Sequence, residues 1–350
     1  MREHLLRFAP RRLWLRSAAA TLLGLGLTHA QAQAQIEIAV TEGVPDPKVL
    51  QQWLSRIQEA ANKVNYTGIY VVSTPGQLAT ARILHFSDGR QQWERIEALD
   101  GQPRVVLRHN ERVVTLLPTA RVAIAEQRSQ LSGFPAVGNI KAAALSPAYQ
   151  ARLLGIDRVA GLEVGVLDLD ATDVYRWSYR LFAERQTGML LRAEIRGAQG
   201  ELLESSAFSE LNVGIRPQVA QIEQAMNKLD GFEIRRPELQ RVAVNQSEWK
   251  FGKLPSGFRV LDAVKRPLPT PDGQETHVRW QFMISDGLAQ VSVFAEPFSP
   301  DLHRKETLWA SGATHGLSVR RGEWWLTAMG EVPPRALREL IQALERRNKP

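Results

Sequence analysis

Apolar residues recur at helical spacing between positions 49 and 64. Val49, Leu50, Trp53, Leu54, Ile57, Ala60, Ala61 and Val64 share one side, and Lys48, Gln51, Gln52, Arg56 and Lys63 take the other. This period predicts an amphipathic helix of about five turns. Asp46 as N-cap and Pro47 in the first turn open it. From Tyr66 the pattern shortens. Apolar runs at 69–72, 81–86, 105–107 and 113–117 are broken by Pro75-Gly76, Asp88-Gly89, Asp100-Gly101 and Asn110-Glu111. Short strands with turns of this kind predict an antiparallel meander.

Residues 126–157 lose the strand pattern and carry Gly133, Pro135, Gly138 and Pro147, which predicts a helical insertion with a short helix at 148–154. Strand character returns at 159–169. Tyr175, Trp177, Tyr179 and Leu181 then alternate with Arg176, Ser178 and Arg180, and Met189, Leu191, Ala193 and Ile195 alternate with polar or longer residues. Ala198-Gln199-Gly200 turns this strand into another at 202–211. Residues 214–246 are polar and contain Pro217, Gly231 and Pro237, so they read as a linker with a short helix near 219–229. A second block begins near Trp249. It predicts a strand after Phe258, a hairpin of 278–284 and 288–296 around Ser285-Asp286-Gly287, a strand at 324–329 and a helix at 336–344. The predicted class is α+β. A large domain spans 35–213, a linker 214–246, and a smaller C-terminal α/β domain 247–350.

Composition changes this picture at one end. The 350 residues carry a net charge of +7. Residues 1–34 hold five arginines and one acid, and the remaining 39 basic and 36 acidic residues leave only +3. The basic balance therefore belongs partly to the leader and gives no reason to infer a nucleic-acid partner. Within that leader a basic stretch ends at Arg16, an apolar stretch covers 18–27, and Ala30-Gln31-Ala32 and Ala32-Gln33-Ala34 offer small residues for cleavage. This is the order of a secretory signal, and its apolar part is shorter than the ~20 residues of a membrane span. The Arg11-Arg12 pair hints at twin-arginine export, but general secretion into a periplasm is the expectation, with a mature chain starting near Gln33 or Gln35. Zero cysteines exclude disulfides, thiolate metal sites and a cysteine nucleophile.

Candidate chemistry is sparse. No nucleophile elbow, His-Glu-x-x-His or phosphate loop occurs. His85, His109, His277, His303 and His315 are scattered, and Asp168, Asp170 and Asp173 lack the glycine and distal glutamate of a calcium loop. The chain reads as non-enzymatic, with no cofactor and no metal. Tyr175, Trp177 and Tyr179, with Trp53, Leu54 and Ile57 of the helix, form either a packed core or the wall of a cavity for an acyl chain, where each buried methylene is worth about 0.8 kcal/mol. On pattern alone the packed core is the stronger reading. Arg82, Arg108, Arg176 and Arg180 form either a solvated face or a rim for anionic headgroups.

Specific strings go further than periods. Asn65-Tyr66-Thr67-Gly68, Arg82-Ile-Leu-His85, Leu99-Asp-Gly101, Val106-Leu-Arg108 and the stretch 175–189 resemble the MucB/RseB family of periplasmic regulators. So do Leu254-Pro-Ser-Gly-Phe258, Ser285-Asp-Gly-Leu-Ala-Gln-Val-Ser-Val-Phe294, Gly312-Ala313 and Gly330-Glu-Val-Pro333. The resemblance implies a large domain similar to LolA and LppX, a half-open, strongly curved antiparallel sheet around helices, followed by a smaller domain. It also implies a role. Such a protein binds the periplasmic part of a transmembrane anti-sigma factor of the RseA/MucA kind, shields it from proteolysis and responds to lipid or lipoprotein. The alternative is a lipid or lipoprotein carrier of the LolA type. Self-association is left open.

Overall fold

Asp46 accepts the backbone N–H of Lys48 at 2.9 Å, and Pro47 occupies the first turn, where a missing N–H costs nothing. Helix α1 (Pro47–Lys63) follows and buries Trp53, Leu54, Ile57 and Ala60. The computed structural model describes residues 41–127, 145, 147–269 and 276–347. The leader and most of the predicted insertion, 128–144, lie outside the described residues.

Eleven strands follow α1: β1 (Tyr66–Thr74), β2 (Gln77–Ser87), β3 (Gln92–Ala98), β4 (Val105–His109), β5 (Arg112–Leu117), β6 (Val122–Gln127), β7 (Tyr149–Val159), β8 (Leu162–Ala171), β9 (Ser178–Glu184), β10 (Leu190–Arg196) and β11 (Leu202–Val213). Two antiparallel meanders, β1–β6 and β7–β11, are joined by the β1–β11 pair. The edge strand β12 (Glu233–Arg235) completes a twelve-stranded sheet and runs parallel to β6. Helix α1 packs Trp53, Leu54 and Ile57 onto Leu167, Leu169, Leu181 and Ile195. Helix α2 (Val219–Asn227) sets Ile222 and Met226 against Phe86, Trp93, Leu107 and Val114.

The second sheet has the order β13-β15-β16-β17-β20-β19-β18, all antiparallel. Its strands are β13 (Gln240–Arg241), β15 (Arg259–Pro269), β16 (Thr276–Ser285), β17 (Gln290–Pro297), β18 (Thr307–Ser311), β19 (Thr314–Arg321) and β20 (Trp324–Gly330). Helix α3 (Pro334–Ala343) covers it with Ala336, Leu337, Leu340 and Ile341, and β14 (Trp249–Phe251) pairs with β21 (Leu344–Arg346) beside it. All these elements belong to one compact unit.

Three expectations need correction. Residues 148–154 are not a helix: 149–154 are the first half of β7. Tyr149, Ala151 and Leu153 alternate with Gln150 and Arg152, and pairing with β8 fixes that period of two. Tyr175 and Trp177 are not strand residues, because β9 begins only at Ser178. The segment 214–246 is more than a linker. Besides α2 it supplies β12 to the first sheet and β13 to the second. Strands β3, β6, β18 and β19 were not anticipated. Charged residues at 94, 95 and 97 hide the first of them, and β18 is exposed throughout.

A row of alternating charge crosses the first sheet on the face turned away from α1. Arg152, Asp168, Arg180 and Glu194 are direct neighbours on β7, β8, β9 and β10. Arg180 grips Asp168 with two hydrogen bonds of 2.7 and 3.0 Å, and Arg196 reaches the same carboxylate at 3.0 Å. Opposite charges directly across a sheet stabilise their pairing, and the arginines bury Asp168 completely.

Candidate functional site at the junction of the sheets

The Asp173 carboxylate accepts the N–H of Tyr175 at 2.9 Å and turns the chain out of the first sheet before β9 begins. Tyr175, Arg176 and Trp177 therefore project toward the second sheet. Arg176 donates to Asp286 at 2.6 Å, to the carbonyl of Ser256 at 2.6 Å and to Asp173 at 3.1 Å. Both Arg176 and Asp286 side chains are fully buried. The guanidinium carbon lies 4.9 Å from the Phe258 ring centre and 5.5 Å from that of Tyr149, distances at which aromatic faces attract a cation. Asp286 also accepts the N–H groups of Leu288 and Ala289. Burial pushes its carboxyl above the ordinary range, and Arg176 and these N–H groups oppose that shift.

Trp177 donates its indole N–H to the carbonyl of Ala313 at 3.0 Å. Neighbouring Gly312 has a φ of +57°, and a side chain there would approach Thr74 of β1 to 2.5 Å. Glycine is required here both for its backbone and for its lack of a Cβ. Leu288 and Ala313 of the second sheet join the same buried cluster as Trp53 and Ile57 of α1. Tyr175 packs on the core of the second sheet, with Arg335 over its ring at 5.7 Å.

Two hollows adjoin this contact. A cavity of about 220 Å³ is lined by Tyr179, Met283, Leu288, Thr314, Met329 and Glu331, among others. The Tyr179 hydroxyl is buried without a hydrogen-bond partner. Desolvation raises its pKa well above the ordinary value, and the charges of Glu331, Asp286 and Glu204 add to that rise. A larger cleft of about 830 Å³ lies between the two sheets beside the 236–241 segment, with Arg112 and Glu126 on one side and Arg241, Asp262, Arg266 and Met283 on the other.

The residues singled out from sequence are distributed as follows. Trp53, Leu54, Ile57 and Tyr179 meet in one buried cluster, and Trp177 packs against it. Tyr175 lies apart, on the second sheet. Trp53, Leu54 and Ile57 are only 2%, 1% and 0% exposed. Where an apolar cavity was expected under α1 the interface is packed, and α1 lines none of the four described cavities. The four arginines do not converge. Arg82 is exposed beside a recess of about 190 Å³. Arg108 is buried against Glu94 at 3.3 Å, Arg176 holds the junction, and Arg180 is committed to Asp168. Sequence reasoning did not single out Asp286, Glu204 or Glu331. Asp286 and Glu331 stand inside strings that carry the family resemblance, which was a usable signal. Glu204 had none.

Comparison with known proteins agrees with this architecture. The MucB/RseB N-terminal domain matches residues 50–226, and the MucB/RseB C-terminal domain matches residues 243–345. The Sigma factor AlgU regulatory protein MucB of Pseudomonas aeruginosa is 30% identical over 287 residues, covering 80% of this chain and 86% of that protein. The Sigma-E factor regulatory protein RseB of Haemophilus influenzae is 24% identical over 84% of this chain and 90% of its own length. The solved complex of Pseudomonas aeruginosa MucA and MucB includes a chain that matches with a TM-score of 0.64 at 26% identity, over 86% of this chain and 99% of the other.

Proposed function

The chain belongs to the MucB/RseB family, and from that premise we propose that it is a periplasmic negative regulator of an envelope stress response. It binds the periplasmic part of a transmembrane anti-sigma factor, shields that segment from regulated proteolysis, and releases it when lipid or lipoprotein binds. The observation that carries this reading is the cleft of about 830 Å³ bordered by both sheets, in a chain whose relative MucB has been solved together with MucA. An extended tail lying there touches both halves at once, so any change in how the halves meet alters its affinity.

Lipid acts through linkage. A ligand that prefers one arrangement of the sheets weakens tail binding by the same factor by which the tail weakens lipid binding. The packed face of α1 bears on this step, because an acyl chain entering the first sheet must displace contacts made by Trp53, Leu54 and Ile57.

The test is a titration of a fluorescent peptide, taken from the periplasmic part of MucA, the partner with which the relative MucB was solved, against the chain lacking residues 1–34. Lipid A micelles are expected to weaken binding by roughly 5- to 150-fold, a coupling of about 1–3 kcal/mol. Reversing charge at Arg241 and Arg266 is expected to weaken binding further. Failure of the intact chain to bind removes the regulator reading. Binding that ignores lipid removes only the sensing step, and binding that ignores both charge reversals moves the tail out of the cleft.

A further inference from the structure

The cavity of about 220 Å³ where the sheets meet has one charged group in its wall and no counter-charge. That group is Glu331, just past β20, and no lysine, arginine or histidine stands among the described lining residues. The Glu331 carboxylate makes no hydrogen bond and no ion pair among the described residues. The buried guanidinium of the junction, Arg176, is spent on Asp286, Asp173 and the Ser256 carbonyl, and Arg335 is turned to Tyr175. Tyr179 of β9 lines the same cavity, is only 1% exposed, and keeps its hydroxyl without a hydrogen-bond partner.

The rest of the wall suits one kind of guest. Ser292 and Thr314 add hydroxyls, Gln290 an amide, and Met283 and Met329 thioethers. Met283, Ser292 and Met329 are direct neighbours on β16, β17 and β20, so they form one row across the second sheet. Met329 is 37% exposed, and Met283 also borders the 830 Å³ cleft, so the cavity opens beside that cleft. Lysine and arginine heads are donors without an acceptor, carried on apolar stems. Carboxylate and hydroxyl oxygens match such a head, and thioethers match such a stem. The cavity is also smaller than the roughly 300–1,000 Å³ of a small-molecule pocket, and so has the size for a single side chain.

We propose that this cavity is a binding pocket for one cationic side chain, lysine or arginine, of a protein partner lying in the adjoining cleft. Burial, and then the Glu204 charge, push the Glu331 carboxyl up to about 7, as befits a carboxylate withdrawn from water without a cation. A seated ammonium or guanidinium supplies that cation and gives the Tyr179 oxygen a donor. The pocket stands on the chemistry of its own wall; that the partner is the anti-sigma tail rests on the function proposed above.

Butylguanidinium and butylammonium are titrated at pH 8 into the chain lacking residues 1–34, isotope-labelled at its methionine methyl groups for NMR. The Met283 and Met329 signals are expected to shift to saturation. Those of Met189 and Met226, buried in the first half, should stay in place. Butylurea, neutral and of similar shape, should move none of them. Glu331→Gln is expected to weaken both cations by about tenfold and Tyr179→Phe by about threefold, as for a charged and a neutral hydrogen bond. Unmoved Met283 and Met329 signals, an equal response to butylurea, or undiminished binding to Glu331→Gln overturns the proposal and leaves a cavity for water only. Native positions of the Met189 and Met226 signals show that a variant is folded. If Glu331→Gln is not, Tyr179→Phe and butylurea decide. The source of the cation is tested apart, with the MucA peptide carrying methionine at each lysine or arginine in turn. One such change should cost about tenfold on the wild-type chain and nothing on Glu331→Gln. If none does, the tail is not the occupant. A peptide that does not bind at all removes the regulator reading, and the small-cation result still decides the pocket.

Discussion

At the scale of single residues, the strings noticed in the sequence have physical reasons. The Asn65 side chain accepts the N–H of Ser87 at 2.7 Å, Tyr66 stacks on His85 at 5.2 Å, and a side chain at Gly68 would collide with Glu210 and Phe208. His85 in turn meets the carbonyl of Val64 at 2.9 Å, just past α1. Arg176 carries the sharpest prediction. Arg176→Ala leaves Asp286 buried without its cation, which costs about 3–5 kcal/mol when a buried pair is broken from one side. Urea denaturation should find that loss in the stability of the junction. Adding Asp286→Leu should restore part of it, because the uncompensated charge is then gone. Unchanged stability in Arg176→Ala would mean that the ion pair does not hold the sheets. This residue was legible as basic and not as a junction, because its partner is 110 positions away and local periodicity cannot reach across that separation.

At the scale of elements, legibility followed the strength of the period. Helix α1 could be read almost to the residue, since an apolar stripe, an N-cap and a first-turn proline agree. Ile57→Ala is expected to cost about 2–5 kcal/mol, the range for truncating a fully buried aliphatic side chain. Asp46→Ala should cost only about 1 kcal/mol, the worth of an N-cap. Thermal melting of the two variants should keep that order, and an equal loss would count against the packed interface under α1. Elements with mixed patterns were less legible. Strand β3 carries charges that the fold pairs off, Glu94 buried against Arg108 of β4 and Arg95 against Glu97 along the strand, so its polarity resembled a loop. Residues 175–177 alternate like a strand, but the Asp173 turn and the pull of Asp286 take them out of the ladder.

For the whole molecule, the two halves are expected to be separable by a cut between them. Residues 233–236, 238 and 240–241 are exposed, whereas Ile222 and Met226 of α2 are buried on the first sheet. Trypsin should therefore nick first after Arg235 or Arg241 and spare α2, the bond after Arg236 being protected by Pro237. Mass spectrometry of the earliest fragments checks this, and a first cut between 66 and 117 would speak against the division. The broad architecture was readable because each half has its own run of strands and closing helix. The docking of the halves was not, since it depends on the turns at 286–289 and 312–313 meeting groups distant in sequence.

The strands β12 and β13 lie on the outer edges of the two sheets and are joined by only residues 236–239. That short tether acts as the spine of a book, with the second sheet as its cover. Strand β18 lies six places from β13, and a strand spacing of about 4.8 Å sets it about 29 Å from the spine. A turn of about 10° at the tether would then carry the β18–β19 corner roughly 5 Å, more than the reach of a hydrogen bond. Gly312 and Ala313 sit at that corner, on the margin that swings furthest. The fold thus has leverage: a few degrees at residues 236–239 are enough to part Trp177 from Ala313.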